Sequence, residues 1–358
     1  MPDDVAVAAP HRAPNDHAIV VGINGYQAGI PVLKGCVNDA DLFHRWLVDG
    51  DGGGLDPANV SLIRAPAPPS GKPERAQIED IILGYYAHLT STGRRKGRRL
   101  YLYFAGHGVM PQSPNDEDCG LVMGNALMLS LRSLLGRTTA KRVLKAALFD
   151  EVVLFMDCCR QMTANVMAHC ELPDIGDVSI AARIPFIFGL AAPWAMTAAE
   201  LELPHPLDPT QGSLWQGVFT HALLRGLRTA VDQNGEVTSV SLKQFVRSAV
   251  QELLPDDDNV RPQIDLSENL QPISFGRGVR VRLEVRQVHP FANLLATVTV
   301  HDGQGLDVLH RSSQSDAFGL FSFDLIPARY LVVAQDAAGN VIGKRPTQLF
   351  GETVRVDF

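Results

Sequence analysis

Short runs of apolar residues, each followed by a polar or glycine-rich turn, recur along the first 275 residues of the chain. They lack the apolar–polar alternation of strands that have one face in water. Segments with helical periodicity separate them. Buried strands that alternate with helices are typical of an α/β fold with a mainly parallel sheet covered on both faces. The predicted strands are Ala18–Ile23, Asn59–Ile63, Leu100–Ala105, Val152–Met156 and Ile184–Leu190.

Four helices are predicted from apolar stripes that repeat at helical spacing. Asn38 is the expected N-cap of the first helix, because a short side-chain oxygen can accept from the free backbone N–H groups there. The predicted helices are Asp39–Val48, Glu74–Leu89, Trp215–Val231 and Leu242–Leu254.

The pattern changes at about residue 278. From there apolar and polar residues alternate in short segments separated by turn residues, as in VRVRLEVRQV and ETVRVDF. This pattern predicts a small antiparallel β-sandwich. A chain of 358 residues also exceeds the usual size of one compact domain. We therefore predict a flexible tail at 1–16, an α/β domain at 17–275 and a β-sandwich at 278–358.

The overall charge and composition limit the classes of partner. A net charge of −7 argues against a nucleic-acid partner, which would require a basic face. The one basic run, Arg94–Arg99, is interpreted as a solvated loop. No signal peptide and no membrane-spanning segment are recognisable, so a cytoplasmic protein with reduced cysteines and no membrane partner is expected.

Two predicted strands end in reactive residues. One leads directly into Gly106-His107-Gly108, and another leads into Asp157-Cys158-Cys159. The carboxyl ends of neighbouring parallel strands meet at one edge of a sheet, so an imidazole and a thiol would lie close together there. A histidine can accept a thiol proton and create a nucleophilic thiolate. Packing of buried histidine and cysteine is the alternative, and the two motifs together favour catalysis.

The glycines around His107 allow a sharp turn and a close approach of the backbone to a substrate. The backbone amides of Gly108 and of the nucleophilic cysteine are therefore candidates for stabilising an oxyanion.

These motifs resemble those of the caspase-like cysteine peptidases, a group of caspases, metacaspases and bacterial caspase homologues. The resemblance covers about residues 17–275 and rests on YFAGHG, MDCC and a histidine 52 residues before Cys159. Caspases place their histidine about 50 residues before the cysteine. The resemblance implies that Cys159 is the nucleophile, His107 the general base, and Cys158 a packed residue that points into the sheet. A catalytic Cys159 is expected to ionise near neutral pH and to be alkylated faster than Cys158.

The resemblance also implies a substrate preference. In metacaspase-like members, carboxylates from the C-x-x-D and D-x-C motifs form an acidic pocket, and these correspond here to Asp39 and Asp157. Two carboxylates in one pocket would favour Arg or Lys before the scissile bond. The alternatives are a helix-terminus charge for Asp39 and a strand-end hydrogen bond for Asp157.

Some positions depart from the family pattern. Arg160-Gln161-Met162 stands where His-Ser-Gly often follows the cysteine, and Ala105 stands where a serine is frequent. Calcium activation is common among metacaspases, yet neither the acidic segment Asn115–Asp118 nor the glycine-rich loop Asp49–Gly54 has a calcium-ligand spacing. The loop is interpreted as flexible surface, and no metal or cofactor is predicted.

The predicted function is a cysteine endopeptidase that cleaves protein substrates through an acyl-enzyme. Residues 160–183 lie where family members carry an activation linker, so Arg160 and Arg183 are candidate self-cleavage points of a zymogen. An activating protein partner is a further candidate.

Trp194 is expected either in the cleft or in the core. Bacterial members often serve in stress, cell-death or antiviral defence. A degenerate caspase-fold scaffold protein and a small-molecule cysteine hydrolase are the alternatives.

Overall fold

The elements of the first unit follow the order that the apolar runs predict. The structure is a computed structural model that describes residues 12–27, 29–67, 72–110, 118–160, 166–192, 198–208, 211–254, 261–279, 281–287, 295–301, 305, 308–316, 319–325, 329–349 and 353–358. Two compact units are distinguished: the first extends to Arg277, and the second includes Gly278–Phe358.

The strands of the first unit, in chain order, are β1 (His17–Ile23), β2 (Val60–Ala65), β3 (Gly97–Gly106), β4 (Gly108–Val109), β5 (Gly120–Val122), β6 (Leu131–Leu135), β7 (Phe149–Cys158), β8 (Val166–His169), β9 (Phe186–Leu190), β10 (Glu200–Pro204), β11 (Ser213–Gly217), β12 (Glu236–Thr238), β13 (Gln263–Leu266) and β14 (Ser274–Arg277). The helices are α1 (Cys36–Val48), α2 (Arg75–Thr92), α3 (Gly136–Lys145), α4 (Val178–Ala181), α5 (Val218–Thr229) and α6 (Ser239–Leu253), with a 3-10 turn at Pro57–Asn59.

In the part of the chain that the structure describes, six strands form the main sheet in the order β13-β9-β7-β3-β1-β2. The five strands from β9 to β2 are parallel, and β13 pairs antiparallel with β9 at the edge. Smaller sheets are formed by β4-β5-β6-β8, β10-β11 and β12-β14. The predicted mainly parallel sheet is therefore confirmed.

Both faces of the main sheet are buried, which explains why its strands have apolar runs instead of alternation. One face packs against α2, α3 and the small β4-β5-β6-β8 sheet through residues such as Val21, Ile82, Phe104, Val143 and Met156. The other packs against α1, α5 and α6 through Val20, Phe43, Tyr103, Phe219 and Val246. Helices thus cover the sheet on both sides.

The start of α1 differs from the prediction. The helix begins at Cys36, its N-cap is Gly35, and Asn38 donates to the Trp215 carbonyl instead of capping. Asn24 accepts from the Val37 N–H at 3.1 Å, so a distant side chain satisfies one of the free helix donors. The predicted helix at Trp215 was also wrong at its start, because Ser213–Gly217 is strand β11 and α5 begins at Val218.

The basic run is a solvated loop only in its first part, where Arg94 and Arg95 are exposed, and that interpretation was wrong for its second part. Strand β3 starts at Gly97, so Arg98 and Arg99 belong to the sheet, and Arg99 is buried. Carboxylates and carbonyls supplied by other elements, which the local sequence does not reveal, make that burial tolerable.

The second unit contains β15 (Val281–Arg286), β16 (Thr297–His301), β17 (Val308–Ser312), β18 (Phe321–Leu325), β19 (Arg329–Gln335), β20 (Val341–Gln348) and β21 (Thr353–Asp357). They form the sheets β18-β15-β21 and β17-β16-β19-β20, which share one apolar core. The pairing is antiparallel except between β15 and β21, which are parallel, so the wholly antiparallel prediction was wrong at that pair. Among the described residues of the whole chain, no helix has the length and apolar composition needed to cross a membrane.

Candidate active site

The register between β3 and β7 brings the two predicted catalytic residues to one place. These parallel strands are neighbours, and Gly106 lies opposite Cys158. The next residues along each chain, His107 and Cys159, therefore leave the sheet side by side at its carboxyl end. Cys158 is buried in the core, with its thiol 3.5 Å from the Phe104 carbonyl, whereas Cys159 is partly exposed. Successive side chains of a strand point to opposite sides, so of the two cysteines Cys159 lies at the open edge of the sheet.

Two groups outside the sequence motifs hold His107. Its backbone N–H donates to the Tyr26 hydroxyl at 2.8 Å, and the two rings lie 4.9 Å apart. Its Nε2 lies 2.8 Å from the Pro31 carbonyl oxygen. Because a carbonyl only accepts, Nε2 carries the proton, and Nδ1 is left as the acceptor of the ring. Tyr26 and Pro31 follow β1, and no local sequence signal marks them.

The backbone of Ala198 partly covers the Cys159 thiol. The Ala198 N–H donates to Sγ at 3.3 Å, and the Ala198 carbonyl lies 3.8 Å from the same sulfur. Among the described contacts, no hydrogen bond joins the thiol to the His107 ring. Burial raises the pKa of Cys159; the Ala198 N–H opposes this shift, and Asp157 adds to it. This direction is opposite to that expected of a preformed thiolate, so a general base must remove the proton when the thiol reacts.

Gly108 packs directly against the backbone of Cys159. A Cβ at this position would overlap the Cys159 carbonyl oxygen and lie 2.7 Å from the Cβ of Cys158. Only glycine fits here without a shift of the chain, which accounts for the second glycine of the motif. The oxyanion role of the Gly108 amide stays a prediction.

Asp39 and Asp157 converge on the junction of β11 and α5. The Asp39 carboxylate accepts from the Gly217 N–H at 2.9 and 3.1 Å. Asp157 Oδ2 accepts from the Thr220 N–H at 3.0 Å and from its hydroxyl at 2.6 Å. A Cβ on Gly217 would overlap Asp157, so the glycine lies between the two carboxylates. Both acids are buried in one place, and their role as a substrate pocket stays a prediction.

The electrostatics of this acidic pair are unfavourable in the free protein. Burial raises the pKa of Asp39 well above its ordinary value, and the neighbouring Asp157 raises it further. Burial likewise raises the pKa of Asp157 to about 6, against the lowering effect of the Thr220 hydrogen bonds. Within the described residues, neither carboxylate forms an ion pair. Two buried acids without a cation are a site that a positive side chain would stabilise.

Glu200 is a further site residue that sequence reasoning missed. Its carboxylate accepts from the Gly35 N–H at 3.0 Å, from the Lys34 N–H at 3.2 Å and from the Cys36 thiol at 3.4 Å. It thus joins β10 to the start of α1, which carries Asp39. Its charge also raises the pKa of Asp39, Asp157 and Cys159. No pattern around AAELEL distinguishes it from an ordinary strand glutamate, because its partners are distant in sequence.

Most of the predicted activation linker is folded where the structure describes it. Strand β8 pairs with β6, and the guanidinium of Arg142 donates to the Cys170 carbonyl at 2.7 Å. Arg160 is buried and donates to Gln263 at 2.8 Å, so it is a poor cleavage point without unfolding, whereas Arg183 is exposed. Residues 161–165 and Trp194 lie outside the described residues.

Asp118, the described residue of the acidic segment considered for calcium, is a hydrogen-bond acceptor. The Asp118 carboxylate accepts from the backbone N–H groups of Cys119, Arg137 and Thr138, each at 2.7 Å. In the loop predicted to be flexible, Gly53 is buried and bonds to the Trp46 carbonyl at 2.8 Å. Across the described ranges no cluster of three metal-ligating side chains occurs. Residues 115–117 lie outside them.

Comparison with known proteins identifies the family. Residues 15–270 match the caspase domain, so more than two thirds of the sequence is covered, and the chain belongs to the caspase-domain peptidase family. A probable protease of a Desulfuromonadales bacterium is 27% identical over 278 residues, which are 71% of this chain and 31% of that relative. The chain therefore spans about a third of that protein's length.

Two solved caspases are similar in structure. Caspase-1 of Spodoptera frugiperda matches with 15% identity and a TM-score of 0.46, covering 78% of this chain and 97% of the caspase. The Drosophila initiator caspase Dronc matches with 10% identity and a TM-score of 0.42, covering 77% of this chain and 90% of Dronc.

Proposed function

We propose that the protein is a cysteine endopeptidase that cleaves polypeptides after arginine or lysine. The observation that supports the proposal is the register of β3 and β7, in which Gly106 lies opposite Cys158, so that His107 and Cys159 follow neighbouring strands at the carboxyl end of the sheet. Membership of the caspase-domain family and a probable protease as a relative support the same class of reaction.

The reaction follows from the protonation state of the site. His107 Nδ1 takes the thiol proton, and the Cys159 sulfur attacks the carbonyl carbon of the scissile peptide. The resulting oxyanion is held by the backbone amides of Gly108 and Cys159. The imidazolium then gives its proton to the leaving amine, and the C–N bond breaks to leave a thioester. His107 next takes a proton from water, whose oxygen attacks the thioester and releases the acid and the thiol.

The acidic pair supports selection of a basic side chain. Asp39 and Asp157 are buried together, and a guanidinium or ammonium would supply the missing counter-charge. Because the pKa of Asp157 is about 6, it is mostly ionised at neutral pH and protonated below that value. Binding of a basic residue therefore weakens in acid, and an acidic side chain is repelled.

The contacts between Ala198 and the Cys159 thiol support the hypothesis that the protein is made as an inactive zymogen. A substrate must displace the Ala198 contacts before it can reach Cys159. Of the two candidate cleavage points, exposure favours Arg183 over the buried Arg160. Mass spectrometry of an active sample should give fragments that end at Arg183, and Arg183→Gln should stay intact. An intact wild-type chain with full activity would exclude this step. A bacterial defence role and an activating partner stay predictions.

Cleavage of coumarin amides that end in Arg, Lys or Asp tests the function. Turnover of Arg or Lys amides that disappears in Cys159→Ala would support both nucleophile and pocket. Turnover of the Asp amide would contradict the pocket.

The covered, neutral thiol also favours a second candidate, a caspase-fold binding protein without activity. Iodoacetamide labelling separates the two functions when it is measured with and without a bound basic peptide. An enzyme should show Cys159 reacting faster than the buried Cys158, with the peptide altering that rate. A scaffold protein should show slow reaction at both.

A further inference from the structure

An exposed group of apolar side chains lies near the candidate site. It comprises the tip of the β5–β6 hairpin, Leu127–Leu129, together with Val32, and is called the apolar tip below. The exposed fractions are 85% for Leu129, 55% for Val32, 52% for Leu127 and 49% for Met128. Single exposed apolar residues are ordinary, but a group of four large ones on adjoining segments is typical of a binding surface.

The hairpin tip is closed by its own backbone hydrogen bonds. Leu127 and Ser130 exchange two hydrogen bonds, Leu127 N–H to the Ser130 carbonyl at 3.1 Å and Ser130 N–H to the Leu127 carbonyl at 2.8 Å. The apolar side chains are therefore presented on a tight turn, and binding to them costs little ordering of the chain.

Both segments of the tip connect to the catalytic histidine. The hairpin is bonded to it, because the Val122 N–H donates to the His107 carbonyl at 2.9 Å. Met128 lies beside Gly29, where a Cβ would be 3.6 Å from the Met128 Cβ. Two residues further along, Pro31 binds His107 Nε2. Two residues of chain span at most about 7 Å, so the tip lies within a few substrate residues of the imidazole.

The residues next to the tip and those next to the acidic pair pack on opposite faces of the main sheet. Neighbours of the tip, such as Ile30 and Ala126, belong to the core on one face of the main sheet. Neighbours of the pocket, such as Val218 and Ala40, belong to the core on the other face. His107 must protonate the leaving amine, so the substrate residues after the scissile bond leave on the histidine side.

We infer that the apolar tip binds apolar side chains of the polypeptide substrate two to four residues after the scissile bond. This inference rests on the proposed endopeptidase function. It extends the substrate preference from the residue before the scissile bond to the residues after that bond. The enzyme then selects a basic residue followed by an apolar segment, whereas small amides without such a segment miss this contact.

The test compares three substrates with the same Arg before the scissile bond: a quenched peptide followed by Ser-Leu-Leu, one followed by Ser-Ser-Gly, and a coumarin amide. The double variant Met128→Gln, Leu129→Gln should lower kcat/KM roughly tenfold on the Leu-Leu peptide and by less than about twofold on the other two. Val178→Gln on α4, where the side chain is 70% exposed, is the matched control and should change none of them. Equal losses on all three substrates, or no loss on the Leu-Leu peptide, would overturn the inference.

Binding separates this inference from the proposed function. In the Cys159→Ala background, fluorescence anisotropy should show the labelled Leu-Leu peptide binding roughly tenfold more weakly after the double substitution, with little change for the Ser-Gly peptide. Equal binding of both peptides before the substitution would overturn the inference. Absence of cleavage together with this selective binding would instead contradict the proposed activity and leave the tip as a peptide-binding surface.

Discussion

The two ends of the main sheet bury charge in opposite ways. At the amino end, Arg99 is buried with its Nε 2.6 Å from Glu151, its Nη1 2.8 Å from the Tyr101 hydroxyl and its Nη2 2.7 Å from the Ser274 carbonyl. Arg98 also pairs with Glu151. At the carboxyl end, Asp39 and Asp157 are buried together, and their hydrogen bonds to described residues come from neutral donors.

This difference between the two ends of the sheet indicates that buried charge contributes to stability at one end and to ligand binding at the other. A buried ion with a full set of partners contributes to a well-defined fold, and breaking it is costly. A buried pair of acidic groups resists ionisation in the free protein, and ionisation of both becomes favourable when a ligand supplies the opposite charge. The carboxyl ends of parallel strands are also where ligands bind in open α/β sheets. The amino end therefore maintains the sheet, and the carboxyl end has the electrostatics expected of the proposed substrate site.

The largest expected effect is on catalysis at the carboxyl end. Cys159→Ala should lower kcat/KM on Arg amides by roughly 10⁴-fold or more, because no other group forms the thioester. Cys158→Ala is the matched control, since its side chain is packed in the core, and it should keep most of the activity. Steady-state kinetics of both variants measures this. Equal losses in the two variants would contradict the assignment of the nucleophile.

The next effect is on stability at the amino end. Arg99→Met should reduce the free energy of unfolding by roughly 3 kcal/mol, because Glu151, Tyr101 and the Ser274 carbonyl lose their buried donor. Urea denaturation measures this, and activity per folded molecule should be unchanged. Arg98→Met, at a more exposed site, should cost less. A loss of activity without a loss of stability would contradict the contrast between the two ends.

Asp157→Asn tests the acidic pocket. It should lower kcat/KM on an Arg amide by about 100-fold, because a buried charge pair is lost. The same variant should change turnover of a citrulline amide only slightly, since citrulline has the shape of arginine without its charge. Parallel loss on both substrates would mean that Asp157 supports the backbone and does not select the substrate.

The pH dependence of stability gives a related test. The pKa of Asp157 is raised from 3.8 to about 6 in the folded protein, so the unfolded chain releases this proton first as pH rises. As the pH rises from about 4 to 7, the free energy of unfolding of the wild type should therefore fall by roughly 2 to 3 kcal/mol relative to that of Asp157→Asn. Urea melts of both proteins at pH 4 and 7 measure the difference. A difference that is unchanged with pH would contradict the raised pKa.

The smallest expected effect concerns Glu200. Glu200→Ala should lower kcat/KM about tenfold, because the N–H groups of Lys34 and Gly35 lose their acceptor and α1 shifts with Asp39. Glu200→Gln keeps an acceptor oxygen and should restore most of the activity, with the change mainly in KM. A Gln variant as impaired as the Ala variant would show that the charge of Glu200, not its hydrogen bonds, is what the site requires.

Local patterns predicted the parts of the fold in which neighbours in sequence determine the structure. Apolar runs and helical periodicity predicted five strands of the main sheet, and the GHG and DCC motifs at strand ends predicted which residues lie together. They failed where the partner is distant. Arg99 was interpreted as solvated because Ser274 is far along the chain, and Asn38 was interpreted as a cap because Glu200 and Asn24 were unknown partners.

The sequence by itself determined the class of fold and predicted His107 and Cys159 as the dyad, because strand alternation and the spacing of His107 are encoded locally. Only the tertiary structure decided the protonation and the accessibility of those residues. It set the proton on His107 Nε2 through Pro31, covered Cys159 with Ala198, and raised the pKa values of Asp39 and Asp157 by burying them together. These properties depend on distances between groups far apart in the chain, which arise only when the sheet and its helices pack.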